Sequence, residues 1–165
     1  MTVSQSVITP LMTARSTLAI DVADRRKVRA ALRKRKPRET GGILIGCRKG
    51  ETGVLVVDAI ETPDEYATDS TWTLRTAGAN RMLADYLAEL PLDSPFGYVG
   101  TWHTHPRPDP EPSSIDLDTF GKEAAGSDGL VAMLICSSDG RMTATVGNSM
   151  LEPTPAAIED LASYD

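Results

Sequence analysis

Apolar positions along the chain fall into two kinds of pattern, helical spacing and short apolar runs rich in β-branched residues. Between Asp21 and Lys36 the charged residues surround a narrow stripe of Val28, Ala31 and Leu32. That spacing predicts one face of a helix, ended by Pro37. Residues 41–47 (GGILIGC) and 54–60 (VLVVDAI) predict two strands. A turn containing Gly50 and Gly53 joins them as a hairpin. Residues 61–70 are polar and acidic, contain Pro63 and predict a loop. Met82, Leu83, Tyr86, Leu87 and Leu90 then recur at helical spacing over 77–90, until Pro91. Residues 96–105 (FGYVGTWHTH) predict a strand. Four prolines between Pro106 and Pro112 demand an extended loop. A helix is predicted over 113–125, and a hairpin from 130–136 (LVAMLIC) and 142–146 (MTATV) around Asp139 and Gly140. Residues 155–162 predict a short terminal helix, and residues 1–17 an irregular or strand-forming lead-in. This mixture predicts a single α/β (α+β) domain over 1–165, with a curved mixed sheet flanked by helices.

The totals agree with that picture. The 165 residues suffice for one domain with a full core, and 41% apolar with 24% charged residues is ordinary for a soluble protein. No apolar run reaches the roughly 18 residues that span a bilayer. Arg15 falls too late for the charged start of an export signal, so the expectation is a cytoplasmic protein without membrane attachment. Cys47 and Cys136 match no metal or redox spacing and read as small buried thiols.

The net charge of −6 argues against general nucleic-acid binding. One segment runs against it. Arg25, Arg26, Lys27, Arg29, Arg33, Lys34, Arg35, Lys36 and Arg38 cluster before the first hairpin. They read either as a solvated helix face or as a docking patch for an acidic partner. Trp72, beside the acidic loop, reads either as a core residue or as part of a binding surface.

The chemistry is concentrated in one stretch. The chain holds only two histidines, His103 and His105. Side chains two apart on a strand share a face, so both imidazoles can reach one ion. The same alternation predicts Val99 and Thr101 on their face, with Tyr98, Gly100, Trp102 and Thr104 opposite. Ser113 and Asp116 follow the proline-rich loop at a helix start, where they also form a capping box. Two nitrogens and one carboxylate leave a tetrahedral Zn2+ with one open position, as in catalytic rather than structural zinc sites. Such a site lowers the pKa of a water towards about 7 and still needs a base.

These residues resemble the JAB/MPN/Mov34 domain in its metal-binding JAMM form. That family's pattern is an upstream Glu, His-x-His-Pro, about seven residues, and Ser-x-x-Asp. Here it reads Glu39-Thr40-Gly41-Gly42, His103-Thr104-His105-Pro106 and Ser113-Ser114-Ile115-Asp116. The resemblance implies zinc ligands His103, His105 and Asp116. It implies Glu39 as the general base and Ser113 as a donor to the oxyanion. It further implies a monomeric peptidase or isopeptidase that cleaves after the C-terminus of a ubiquitin-like or similarly tailed protein. The sequence 98–106 looks most like a bacterial branch that accompanies E1- and E2-like proteins, including those of CBASS antiphage operons. The substrate tail is expected beside a sheet edge, framed by residues 61–70 with Trp72 and by residues 107–111. Rival readings are processing of a sulfur-carrier protein and a non-catalytic MPN scaffold.

Overall fold

Asp21 starts the first helix. Its backbone is extended (φ −79°, ψ 167°) and its side chain accepts a hydrogen bond from the Asp24 amide at 2.7 Å, capping α1 (Val22–Arg35). The computed structural model describes residues 15–164. Before α1 comes β1 (Thr17–Ile20). After it, β2 (Gly41–Lys49) and β3 (Gly53–Glu61) make the expected hairpin, with Gly50 at φ 62° in the turn. Then follow α2 (Thr76–Ala88), β4 (Gly97–His105), α3 (Ser114–Ala125), β5 (Val131–Ser137), β6 (Met142–Asn148) and β7 (Leu151–Asp160). A 3₁₀ turn, Leu161–Tyr164, ends the described chain.

The curved mixed sheet with flanking helices is present, and its curvature runs to closure. The strand order is β1-β3-β2-β4-β5-β6-β7, and β1 pairs in parallel with both β3 and β7. β4 and β5 are also parallel, joined by α3, while the remaining neighbours are antiparallel. The short helix expected over 155–162 is instead mostly strand. β7 fills the gap between β6 and β1, with Ala156 opposite Ala144 and Ala157 beside Thr17. The closing ladder outweighs the local helical preference of that segment. The lead-in expected over 1–17 lies mostly outside the described residues, and Thr17 already belongs to β1.

Inward-facing side chains, among them Leu44, Val56, Trp102 and Leu134, form the main core together with Val28, Ala31 and Leu32 of α1. On the outer surface α2 places Ala79 against Ile43 and Ile45. α3 seats Phe120 and Ala124 on Val131, Met133 and Ile135 of β5. Burying a side chain of Phe120's size stabilises by about 1.5–3 kcal/mol, and this contact fixes where the start of α3 lies. Cys136 is buried in the inner core and Cys47 is half-buried, both as free thiols.

Strict alternation fails once on β4. Leu44 pairs with Gly100 but Ile45 pairs with Tyr98, so Val99 is an extra residue. Val99 therefore joins Trp102 in the inner core, while Tyr98 packs on the outer face with Ile43 and Ile45. This reverses the facing expected for Val99 and Tyr98. Gly100 makes the bulge possible. Its φ is 147°, and a Cβ there would lie 1.9 Å from the Ala132 carbonyl oxygen. Gly100→Ala is expected to lose roughly 3 kcal/mol or more, from strain and overpacking together. Urea unfolding of the metal-free protein measures it, and a loss under about 0.5 kcal/mol would contradict the bulge.

Candidate metal centre and active site

His103 and His105 leave β4 on its outer face, and both are almost fully buried. Thr104, between them, points the other way and ties down a neighbouring chain. Its hydroxyl accepts from the Thr40 amide at 3.0 Å, and its own amide donates to the Thr40 carbonyl at 2.8 Å. In the same ladder Gly41 lies opposite His103. Glu39 is thereby carried to the histidine pair. Gly41 must lack a side chain, because a Cβ would sit 2.4 Å from the Trp102 carbonyl and 2.7 Å from the Trp72 ring. That ring stacks on His103 at 6.2 Å between centroids and 13° between planes, and its Nε1 donates to the Thr62 carbonyl at 3.3 Å.

Asp116 meets the histidines from the start of α3. Ser113 Oγ accepts from the Asp116 amide at 3.1 Å, and the Asp116 carboxylate accepts from the Ser113 amide at 2.8 Å. This closed capping box holds the carboxylate facing both imidazoles. His103 Nε2 lies 3.3 Å from Asp116 Oδ1, and His105 Nε2 lies 3.3 Å from Asp116 Oδ2. The two Nε2 atoms are 3.2 Å apart. An ion bonded at about 2.0–2.1 Å in a tetrahedron separates its ligands by about 3.3–3.4 Å, so the three groups are spaced for zinc. His105 Nδ1 lies 2.8 Å from the Asp109 carbonyl. A carbonyl only accepts, so Nδ1 carries a proton whatever the charge of the ring, and loss of the Nε2 proton to a metal would leave that lone pair facing the centre.

Burial alone would raise the Asp116 carboxyl, but hydrogen bonds from His103 and His105 hold it far below the usual carboxylate range. Burial works against charging His105, yet Asp116 and the Asp109 carbonyl leave it above its ordinary value. Glu39 behaves oppositely. Burial pushes its carboxyl up to about 7, with Asp116 acting in the same direction and His105 and Arg107 opposing. It shares a cavity of about 310 Å³ with His103, Ser113, Asp116 and Trp72. The Ser113 hydroxyl also opens into this cavity; its oxygen already caps α3, which leaves its proton to donate.

All five expected site residues therefore come together. The two framing segments divide. Residues 70–74 line the cavity, but most of the acidic loop lines a separate space on the other side of Glu39. Residues 107–111 do not line the cavity and act as a brace. Arg107, Pro108 and Pro110 offer carbonyls to the Ser138 amide, Arg141 Nη2 and Thr143 Oγ1 at 3.1, 2.8 and 2.6 Å. That brace presents the Asp109 carbonyl to His105. Sequence reasoning missed this carbonyl, which leaves no side-chain signal. It also missed Thr104, whose place between two candidate ligands was a usable sign. The Tyr98–Glu123 hydrogen bond went unforeseen too, because it depends on the bulge.

The family described as prokaryotic homologs of the JAB domain matches residues 22–149, which include Glu39, His103, His105, Ser113 and Asp116. The chain belongs to that family. A curated relative named CD-NTase/cGAS isopeptidase, from Enterobacter hormaechei subsp. hoffmannii (strain UCI 50), is 35% identical over 92 residues. The match covers 54% of this chain and 48% of the relative. A second of the same name, from Escherichia coli (strain TW11681), is 27% identical over 101 residues, covering 61% and 64%. The JAB-domain chain thus spans about half to two-thirds of the relatives it matches. The solution structure of protein DSY2949 from Desulfitobacterium hafniense shares the fold at TM-score 0.66 and 16% identity, over 90% of this chain and 97% of that one. No helix among the described residues is long and apolar enough to cross a membrane.

Proposed function

We propose that this JAB-domain chain is a zinc-dependent isopeptidase that cleaves after the C-terminal tail of a ubiquitin-like or similarly tailed protein, freeing it from a target amine. The observation that carries the reading is the set of His103, His105 and Asp116 donors spaced 3.2–3.3 Å apart, beside a buried Glu39. His103, His105 and Asp116 would hold the ion. When bound, zinc supplies a Lewis acid that polarises the scissile carbonyl and lowers the pKa of a water.

The protein's own groups do the rest. Glu39 takes a proton from the attacking water and returns it to the leaving amine. Burial raises this carboxyl and a bound cation would lower it again, which leaves it ionised to accept the proton near neutral pH. The Ser113 hydroxyl donates to the carbonyl oxygen as negative charge develops there. Trp72 covers His103 and narrows the cavity, which favours small residues at the cleavage point.

Among the described residues every strand has two neighbours, but β1 pairs only with Gly53–Val56 of β3, which leaves residues 57–61 of β3 with a ladder partner on one side only. Residues 71–75 belong to no strand and partly line the cavity, so the extended tail is placed beside them. The relatives' names support the isopeptide bond and suggest a CD-NTase as the tailed partner. On this reading E1- and E2-like enzymes would form the bond, in an antiphage setting.

The direct test is incubation of the zinc-loaded protein with a CD-NTase conjugate and with a ubiquitin-like conjugate, followed by intact mass analysis. Release of an unmodified tail supports the reading, and no cleavage of either overturns it. Trp72→Ala is expected to raise KM several-fold with zinc content unchanged, since the ring forms a cavity wall. Unfolding of that variant would make the ring structural. In the metal-free protein, carbon NMR of the Glu39 carboxyl is expected to show titration near pH 7. Added zinc should lower that value, because a nearby cation favours the carboxylate. Activity then falls as pH drops through the lowered value and the base protonates. A titration near 4.5 in the metal-free protein would contradict the buried position.

A further inference from the structure

The proposed activity leaves the basic segment unused. Four of its cations, Arg25, Arg29, Arg33 and Lys36, recur every three or four residues and occupy one stripe of α1 and its C-cap. That stripe faces the turn between β5 and β6. There Arg29 clamps the Gly140 carbonyl through Nε and Nη2 at 3.2 and 3.0 Å. Two cavities open along the seam, of about 400 and 280 Å³, and Arg29 and Gly140 line both. Arg25, Arg29, Arg33, Lys36 and Arg141 line them together, against only Glu111 and Asp139.

The positive groups are not used up internally. Arg25 Nε is buried and meets no acceptor among the described residues, and Asp160 approaches Arg25 only to 3.8 Å. Arg33 and Lys36 are exposed and meet no carboxylate within salt-bridge distance among the described residues. Asp139 is held by Ser137 and Arg141, a pair that engages the charge of Arg141 as well and leaves Arg25, Arg29, Arg33 and Lys36 as the cations of the trough. Other cations of the segment do have local duties, Lys27 on Asp58 and Arg35 on Glu61. The seam is thus a basic trough on a chain whose net charge is −6.

We propose that this trough docks a short acidic segment of a partner protein. Residues 25 to 36 of a helix span roughly 16 Å, the length of about five residues of extended peptide. No aromatic ring lines either cavity, so there is no platform for stacking a nucleobase. Met142 and Ile158 line the larger cavity and suit one apolar side chain among the acids. The proposal does not rest on the assigned activity.

The test is fluorescence anisotropy of the full chain with a fluorescein-labelled peptide, Asp-Glu-Leu-Glu-Asp. Binding is expected, and it should weaken on going from about 50 to about 300 mM salt. The double variant Arg33→Glu/Lys36→Glu should weaken it at least roughly tenfold, since two attractions become repulsions. Both side chains are exposed and remote from the metal ligands, so the variant should stay folded, melting slightly lower because two carboxylates oppose the dipole at the end of α1. Amide NMR of the native protein gives an independent readout. Peptide-induced shifts should cluster on α1 and residues 138–142. Equal binding by the double variant, shifts centred on residues 70–74, or tighter binding of ADP than of the peptide would each overturn the proposal.

Discussion

Glu39→Gln is expected to keep its zinc and fold while the cleavage rate falls by roughly 10²–10⁴-fold, the contribution of a positioned base. The argument is geometric. The three groups spaced for an ion are His103, His105 and Asp116, and each is held without help from Glu39. His105 is fixed by the Asp109 carbonyl, Asp116 by the capping box, and His103 by its strand and the Trp72 ring. The Glu39 backbone is held by its own amide, which donates to the Thr68 carbonyl at 2.7 Å, and by the Thr40–Thr104 pair. Replacing the carboxylate with an amide removes the proton acceptor and none of these supports. Burial already favours a neutral group there, so the variant should be as stable as the native protein or more so above neutral pH. Elemental analysis and one cleavage assay on the same preparation decide it. Loss of zinc would make Glu39 a ligand, and full activity would place proton transfer elsewhere.

Asp116→Asn should do the converse, losing zinc and activity together. Asparagine can still accept from the Ser113 amide, so the start of α3 should persist. What disappears is the negative charge that faces both Nε2 atoms. Loss of a partner outside the ligand set already costs about 10–100-fold in metal affinity, so a ligand carboxylate should cost more. The metal-free variant should melt lower, because the carboxylate that the histidines hold far below the usual range is gone, and the increase on adding zinc should vanish. A variant that retains one zinc per chain would remove Asp116 from the ligand set.

Much of this was legible in the sequence for identifiable reasons. The ligand pair was legible because His-x-His on a strand has period two, and the bulge at Val99 lies upstream of it. Ser113 and Asp116 were legible because a capping box is set within four residues. The β2–β3 and β5–β6 hairpins and the three helices followed from local pattern and turn chemistry, whereas the β6–β7 hairpin did not. What misled was also local. Residues 155–162 carry a helical signature, and nothing within them reports that β1 and β6 await a strand between them. The extra residue on β4 could not be read from alternation, because Gly100 is suited to many backbone conformations and only its approach to Ala132 selects this one.

The sequence by itself determined which residue types are available for chemistry and how the short-range pairs among them are spaced. It also supplied the family resemblance, because four separated elements agree in order. Only the tertiary structure decided that Glu39, 64 positions before His103, shares a cavity with it. That placement depends on the β2–β4 ladder, on Thr40 bonding Thr104, and on the missing side chain at Gly41. Barrel closure was a tertiary outcome too, since β7 and β1 meet only when the whole sheet curls round. The division has one physical cause. Contacts within a turn or a strand repeat are dictated by backbone geometry over a few residues, whereas contacts between distant segments depend on which surfaces the whole chain can bury at once.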